Sequence, residues 1–225
     1  MKVIVFGATG GLGHRVWRRA IDAGHSVVAL VRTPSRLDSS DPRHALLQVV
    51  QGDAMDAKAV SVAAEGCEVL VNCTSPASGN SALEMAESIV AIAAKAGVLR
   101  YYMVGGLGAL WVPGSNRSVL MQDWNDVEAM KSFGIDRPMP KEVIQNMTKG
   151  HLASMDFMAG TGLAHAFLCP GLMVEGPASP TRVVTLDELG GTSVVKVAYD
   201  DVAETVVEDI EVGRLIGHRV CVAAA

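Results

Sequence analysis

Aromatic residues are scarce in this chain: three Trp, three Tyr and four Phe among 225 residues, or 4%. A core built without them has to be filled by Val, Ala, Leu and Met, and hydrophobic residues make up 49% of the sequence. That share, with only 19% charged residues, excludes a disordered chain. No long basic run occurs and the formal net charge is −5, so neither nucleic acid nor an anionic membrane surface is expected as a partner. No apolar run approaches the ~20 residues of a membrane-spanning helix. The first residues offer one Lys and five apolar side chains before a glycine turn, too few for the apolar stretch of a signal peptide. The four cysteines, Cys67, Cys73, Cys169 and Cys221, lack C-x-x-C or other metal-binding spacing. They read as buried free thiols of a protein in a reducing compartment, and a cytoplasmic location without a metal site is expected. The length suits one domain spanning residues 1–225, with monomer and homodimer both open.

What the chain does have is a spaced set of glycines near its start. Lys2-Val3-Ile4-Val5-Phe6 is a short apolar run rich in β-branched residues and reads as a buried parallel strand. Gly7-Ala8-Thr9-Gly10-Gly11-Leu12-Gly13 follows, and a helical pattern begins directly after it. This G-x-x-G-x-x-G spacing meets a specific demand. The backbone must turn sharply off a strand and let a pyrophosphate approach. It must then start a helix whose free N–H groups and positive dipole end face the phosphates. A side chain at Gly7, Gly10 or Gly13 would obstruct the turn, the ligand or the helix–strand packing. The stretch predicts a dinucleotide loop with Gly7, Thr9, Gly10, Gly11, Leu12 and Gly13 as cofactor contacts.

Residues 12–23 read as a helix with Leu12, Val16, Ala20 and Ala23 on its apolar face and Arg15, Arg18 and Arg19 mostly solvated, ended by Gly24. A second strand at 25–31 runs into Arg32-Thr33-Pro34-Ser35-Arg36. An acid at this junction bonds the ribose hydroxyls of NAD, whereas an arginine takes the 2′-phosphate of NADP. Arg32 and Arg36 stand here with no acid before Asp38, so NADP(H) is expected over NAD(H). A third strand at 45–50 leads to Gly52-Asp53. Two roles are open for Asp53: bonding the adenine amino group with help from the Ala54 N–H, or capping the turn to Asp56. Residues 58–65 form a short helix and 67–72 a fourth strand, ending in Cys73-Thr74-Ser75-Pro76. Ligands of open parallel sheets lie outside the strands' carboxyl ends, which puts Asn72, Cys73 and Thr74, with Ser75 and Pro76, on the nicotinamide side. Residues 81–96 give the clearest amphipathic helix, with Ala82, Met85, Ala86, Ile89, Val90 and Ala93 at 3.6-residue spacing, and 99–104 a fifth strand. This alternation predicts an α/β fold with a doubly wound parallel sheet, Rossmann-like, and a small C-terminal substrate-side region.

The rhythm breaks at Gly105-Gly106. The 105–140 segment carries Trp111 and Trp124, which either offer flat surfaces to a planar substrate or anchor the loop on the core. Residues 141–160 form a helix with Val143, Met147, His151, Ser154 and Met158 on one face and Gln145, Lys149 and Asp156 on the other. His151 and Lys149 therefore cannot both point into one site. After a sixth strand at 165–169, Pro170, Gly171 and Met173 begin a second substrate-side loop, 170–195. A short strand at 193–197, a helix at 200–211 capped by Asp200 or Asp201, and a last strand at 219–222 complete the chain.

Taken together these segments resemble the atypical short-chain dehydrogenase/reductases of the NAD(P)-binding, NmrA-like kind, over essentially the full length. The resemblance is carried by Val5 to Gly13, Leu30-Val31-Arg32-Thr33-Pro34, Gly52-Asp53 with Asp56, and Ala96-Gly97-Val98-Leu99-Arg100-Tyr101. It continues in Cys169-Pro170 through Gly176-Pro177, with Cys for the family's Arg, and in Tyr199-Asp200-Asp201-Val202-Ala203. Val104-Gly105-Gly106-Leu107-Gly108-Ala109-Leu110-Trp111-Val112-Pro113-Gly114 is similar to a segment of the NADH-flavin-reductase-like subgroup. The resemblance implies a nicotinamide cofactor and hydride transfer. Standard members use Ser, Tyr and Lys: Tyr donates the proton, Lys holds the ribose and lowers the Tyr pKa, and Ser orients the substrate. Here Gly105-Gly106 stands where the Ser would be, and the only tyrosines, Tyr101, Tyr102 and Tyr199, lie outside the 141–160 helix. Counting back from Pro170 puts His151, not Lys149, closest to the usual Lys.

Carbonyl reduction by that triad is not expected. Hydride transfer to an electron-poor ring needs mainly alignment of two rings, and solvent or His151 would supply the proton, making His151 the candidate catalytic residue; the other reading of His151 is a core histidine. The expected function is an NADP(H)-dependent oxidoreductase acting on a planar acceptor such as a flavin or quinone. Gly105, Gly106, Trp111, Trp124, Pro170, Gly171 and Met173 are expected around that acceptor. One alternative is a non-catalytic NADP(H) sensor that biases a protein partner. The other is a sugar epimerase or dehydratase, a class that generally relies on the missing Tyr.

Overall fold

The first strand, β1 (Lys2–Phe6), is buried on both sides: Val3 and Val5 enter one core, Ile4 and Phe6 the other. A strand of this kind needs helices on both faces of its sheet. The computed structural model describes residues 1–74, 82–112, 114–115, 119–121, 141–179, 182–188 and 196–224. Along the chain follow α1 (Gly13–Asp22), β2 (Ser26–Val31), β3 (Leu47–Gln51), α2 (Ala57–Ala64), β4 (Val69–Asn72), α3 (Ala82–Lys95) and β5 (Arg100–Val104). Then come α4 (Lys141–Thr161), β6 (Ala164–Pro170), β7 (Leu172–Val174), β8 (Arg182–Leu186), β9 (Lys196–Ala198), α5 (Tyr199–Val212) and β10 (Arg219–Ala224).

The main sheet has the order β3-β2-β1-β4-β5-β6-β10-β8; seven strands are parallel and β8 runs antiparallel on β10. The direction of winding reverses between β1 and β4, whose ends are in register at Phe6 and Asn72. Such a reversal opens a crevice beyond the strand ends where ligands bind. Helices α1 and α5 pack together on one face, and α2, α3 and α4 line the other. The expected α/β doubly wound fold is thus present.

Several local expectations change. On α1, Leu12, Val16 and Ala20 are buried, but Ala23 lies past the last turn and is exposed; Trp17 takes its place at 0% exposure. Arg15, Arg18 and Arg19 are not solvated: they pair with Asp200 and Glu175, with Asp38 and Asp41, and with Asp200, respectively. The third strand starts at Leu47 because a 3-10 turn at Pro42–Leu46, its first N–H groups met by Asp41, occupies residues 45 and 46. On α4, His151, Ser154 and Met158 are buried as expected, while Met147 is exposed and Thr148 takes the inward position; the side chain of Val143 lies outside the described residues. Lys149 and Asp156 are exposed, so His151 and Lys149 do face opposite ways.

The C-terminal third differs most. Residues 172–174 do not leave as a loop but form β7, paired in parallel with β9 as a separate two-stranded sheet. Neither Asp200 nor Asp201 caps α5; Ala198 is the cap residue. Asp200 instead binds Arg15 and Arg19, and the Asp201 carboxylate accepts the Ser179 N–H at 2.7 Å. At the other end of α5 a buried carboxylate, Asp209, sits against the unfavourable end of the helix dipole. It is held there by the Tyr102 hydroxyl at 3.0 Å and the N–H groups of Arg214 and Leu215 at 2.7 and 3.0 Å.

Candidate functional site

The glycine turn lies at the sheet's reversal point, and its backbone geometry explains Gly7 and Gly13. Gly7 has φ +76°, and a Cβ there would stand 2.7 Å from the carbonyl oxygen of Cys73 at the end of β4. A Cβ on Gly13 would overlap the Gly7 carbonyl. The Gly10 N–H bonds that same carbonyl at 2.9 Å and the His14 N–H reaches back to Gly10 O at 3.1 Å. The N–H groups of Gly11, Leu12 and Gly13 have no acceptor among the described residues, and α1 starts without a side-chain cap or an acid in its first turn. Free N–H groups at a helix start with the dipole behind them form an anion site. The cradle therefore fits a pyrophosphate, with Thr9 on its rim.

The end of β2 carries the second part of the site. Arg32 and Arg36 are exposed, and neither guanidinium has a partner among the described residues. Asp38, the first acid after them, is occupied by Arg18 at 3.0 Å and by Ser40. Of the two roles open for Asp53, its carboxylate accepts the Met55 N–H at 2.9 Å in the turn beside Ala54, while Asp56 is the residue that caps α2.

At the end of β4, Asn72 is 2% exposed and its amide is already spoken for. Its Nδ2 donates to the Tyr101 hydroxyl at 2.9 Å, and its Oδ1 accepts from the Thr74 N–H at 3.0 Å and the Thr74 hydroxyl at 2.6 Å. Asn72 thus shapes the crevice wall rather than offering free polar atoms to a ligand. The Cys73 N–H bonds Phe6 O at 3.0 Å and its carbonyl crowds the Gly7 turn, and burial pushes its thiol up to about 12, which leaves it protonated and unreactive. Ser75 and Pro76 lie outside the described residues.

The end of β5 is where a triad Ser would stand. A Cβ built on Gly105 would meet the Phe167 ring at 2.5 Å and lie 3.4 Å from His151 Nδ1, while Gly106 has open space beside it. A side chain at 105 would have to displace Phe167. His151 packs edge-on against Phe167, with ring centroids 5.9 Å apart, and neither imidazole nitrogen has a hydrogen-bond partner among the described residues. Burial alone pushes its pKa down to about 4. At neutral pH His151 is a neutral imidazole, so it is no reservoir of protons.

That depression has a measurable consequence. Between about pH 6.5 and 4 the unfolded chain takes up a proton that the folded chain refuses, so stability is full above this window and is lost as pH falls through it. The whole effect is about 3 kcal/mol. Urea unfolding at pH 7 and pH 4 should show wild type losing about that much more than His151→Gln. Equal losses would place His151 in a wetter environment.

Pro170 ends β6 in register with Val222, and the Gly171 N–H bonds Val222 O at 3.2 Å. Both are buried. Met173 lies in β7 and is partly buried against the core on the α1 side of the sheet. Trp111 is anchored: its N–H bonds Asp187 O at 3.3 Å and the Arg219 guanidinium covers its ring at 5.0 Å. Of its two expected roles, this geometry fits the anchor. Trp124 lies outside the described residues. Sequence reasoning missed the Arg15 cluster, in which one guanidinium ties Gly11 O to Asp200 and Glu175. Its partners lie up to 185 positions away, and the only signal was a run of arginines on one helix.

A family model of NAD(P)H-binding proteins matches residues 7–211. The chain belongs to the NAD(P)H-binding family. A Bacillus subtilis (strain 168) relative, the uncharacterized protein YwnB, is 28% identical over 123 residues, so the match spans 54% of that relative and of this chain. Among solved structures, a candidate exported protein of Burkholderia pseudomallei superposes with a TM-score of 0.77 at 26% identity over 99% of both chains. A candidate NADH-flavin reductase of Streptococcus pneumoniae TIGR4 gives 0.79 at 18% identity over 100% of both. ChuY, an anaerobillin reductase of Escherichia coli O157:H7, gives 0.72 at 21% identity over 99% of this chain and 96% of ChuY. This NAD(P)H-binding protein thus has the Rossmann-like fold of these solved structures. Among the described residues no helix is long and apolar enough to cross a membrane, and no His, Cys, Asp or Glu cluster is built to hold a metal.

Proposed function

We propose that this NAD(P)H-binding protein is an NADP(H)-dependent oxidoreductase that passes hydride to a planar acceptor such as a flavin or quinone. The end of β5 carries the reading. A triad carbonyl reductase places its substrate-orienting Ser there, and this chain has Gly105 backed by Phe167 and a neutral His151, with open space at Gly106. A flat ring system fits against such a floor and asks only for alignment, since the cofactor supplies hydride and solvent the proton. Pro170, Gly171 and Met173 bound the same end of the sheet, and His151 orients the acceptor as a neutral hydrogen-bonding group. The free guanidinium groups of Arg32 and Arg36 support NADP(H) over NAD(H). Two structural neighbours carry the names NADH-flavin reductase and anaerobillin reductase, and a flavin is a planar acceptor of this shape. The thiols of Cys67, Cys73 and Cys169, unlinked by disulfides and kept protonated by burial, suit a reducing compartment, the cytoplasm.

Stopped-flow oxidation of NADPH, followed at the nicotinamide absorbance, should saturate with FMN or with a quinone. Tight NADPH binding without turnover across both acceptor types would overturn the reductase and leave the sensor reading, in which the dinucleotide biases a protein partner.

A further inference from the structure

We propose that the Tyr199 hydroxyl is a ligand for the pyrophosphate of the dinucleotide, brought over the glycine loop from the far end of the chain; the inference rests on the dinucleotide reading of that loop. The other two tyrosines spend their hydroxyls on the protein. Tyr101 accepts from Asn72 at 2.9 Å and Tyr102 donates to the Asp209 carbonyl at 2.8 Å, and both are fully buried. Tyr199 opens α5, is half-buried, and its hydroxyl has no partner among the described residues.

Its ring lies over Gly11. A Cβ on Gly11 would stand 3.0 Å from Cζ, the carbon that bears the hydroxyl, and 3.1 Å from Cε1. The oxygen end of the phenol therefore reaches the loop. Gly11 is not one of the three spaced glycines, and its backbone is outside the left-handed region that demands glycine. What requires glycine there is room for this ring. Arg15 fixes the arrangement: its guanidinium lies 5.3 Å over the ring while bonding Gly11 O at 2.7 Å and the Asp200 carboxylate at 2.9 Å. Asp200 is the residue next to Tyr199, so one cation ties loop and phenol together. The free N–H groups of Gly11, Leu12 and Gly13 lie at the same spot. A phenol hydroxyl adds a neutral donor to that set, which strengthens an anion site without a second charge to desolvate.

Tyr199→Phe keeps the ring and removes only the oxygen. Fluorescence titration should show NADPH binding about tenfold more weakly to the variant. Adenosine 2′,5′-bisphosphate, which lacks the pyrophosphate bridge, should bind both proteins equally, and the melting temperature should be unchanged. Equal NADPH affinity for the two proteins overturns the proposal, as does a loss shared by the bisphosphate. Gly11→Ala provides a second route, because its methyl group displaces the phenol; undiminished NADPH binding there also overturns it. A wild type that binds no NADP(H) at all would overturn the dinucleotide reading itself, an outcome distinct from the others.

Discussion

Gly7→Ala is expected to melt about 10 °C below wild type and to bind no dinucleotide, whereas Gly10→Ala should melt within about 3 °C of wild type and still lose most NADPH affinity. The two glycines look alike in sequence but meet different neighbours. Gly7 has φ +76°, a conformation that costs an L side chain about 1–2 kcal/mol. Its Cβ would also press on Cys73 O at 2.7 Å and Cys73 C at 2.8 Å. Those atoms belong to the backbone leaving β4, whose next N–H is fixed to Phe6 O at 3.0 Å, so they cannot swing aside. Overpacking of that kind adds about 1–3 kcal/mol. The sum is about 3 kcal/mol, and each kcal/mol lowers the midpoint of a chain this long by about 2–4 °C. Gly10 has an ordinary φ and is exposed, and its Cβ would touch only Gly7 O, at 3.3 Å. A methyl group there costs the fold little and stands where the phosphates would approach. Thermal melts paired with NADPH titrations read both effects. Equal melting shifts for the two variants would mean that the loop is not divided into a structural and a ligand-facing glycine.

The same contrast shows what was legible in the sequence. Local grammar was readable: a strand, spaced glycines and a helix start define the cradle because each requirement acts within about ten residues. The faces of α3 were readable too, since Met85, Ala86, Ile89, Val90 and Ala93 recur at the helical period and are buried. The same period separated His151 from Lys149. Contacts between distant segments were not readable. Arg15 and Arg19 look solvated on a helical wheel because nothing local marks Asp200 as their partner. Asp200 in turn looks like a helix cap because caps are a local pattern, and the ion pair outweighs it. Strand β7 was hidden inside a Gly- and Pro-rich stretch that reads as a loop. Its pairing with β9 depends on residues more than twenty positions away. The same holds for Tyr199: the family pattern points to the 141–160 helix for a tyrosine, whereas the one whose hydroxyl has no partner among the described residues opens α5.

The cofactor preference gives the other large effect. Replacing both Arg32 and Arg36 with Ala should weaken NADPH about 100-fold, change NADH less than about threefold, and leave the melting temperature unmoved. The last expectation follows from the structure: among the described residues neither guanidinium touches an acid or a carbonyl, so no contact of the described fold is lost with them. The first follows from charge. The 2′-phosphate carries nearly two negative charges, and hydrogen bonds between ions contribute about 1.5–3 kcal/mol each. Both arginines are exposed, so screening trims that figure and the pair together reaches about 3 kcal/mol, or 100-fold. Raising the ionic strength should therefore weaken NADPH but not NADH in wild type, and should affect neither cofactor in the double variant beyond the NADH level. Asp38 cannot take over ribose recognition in the variant, because Arg18 holds its carboxylate at 3.0 Å and Ser40 bonds its other oxygen. Equal losses for NADPH and NADH would instead make the two arginines a general part of the adenosine pocket and would overturn the proposed preference for NADP(H).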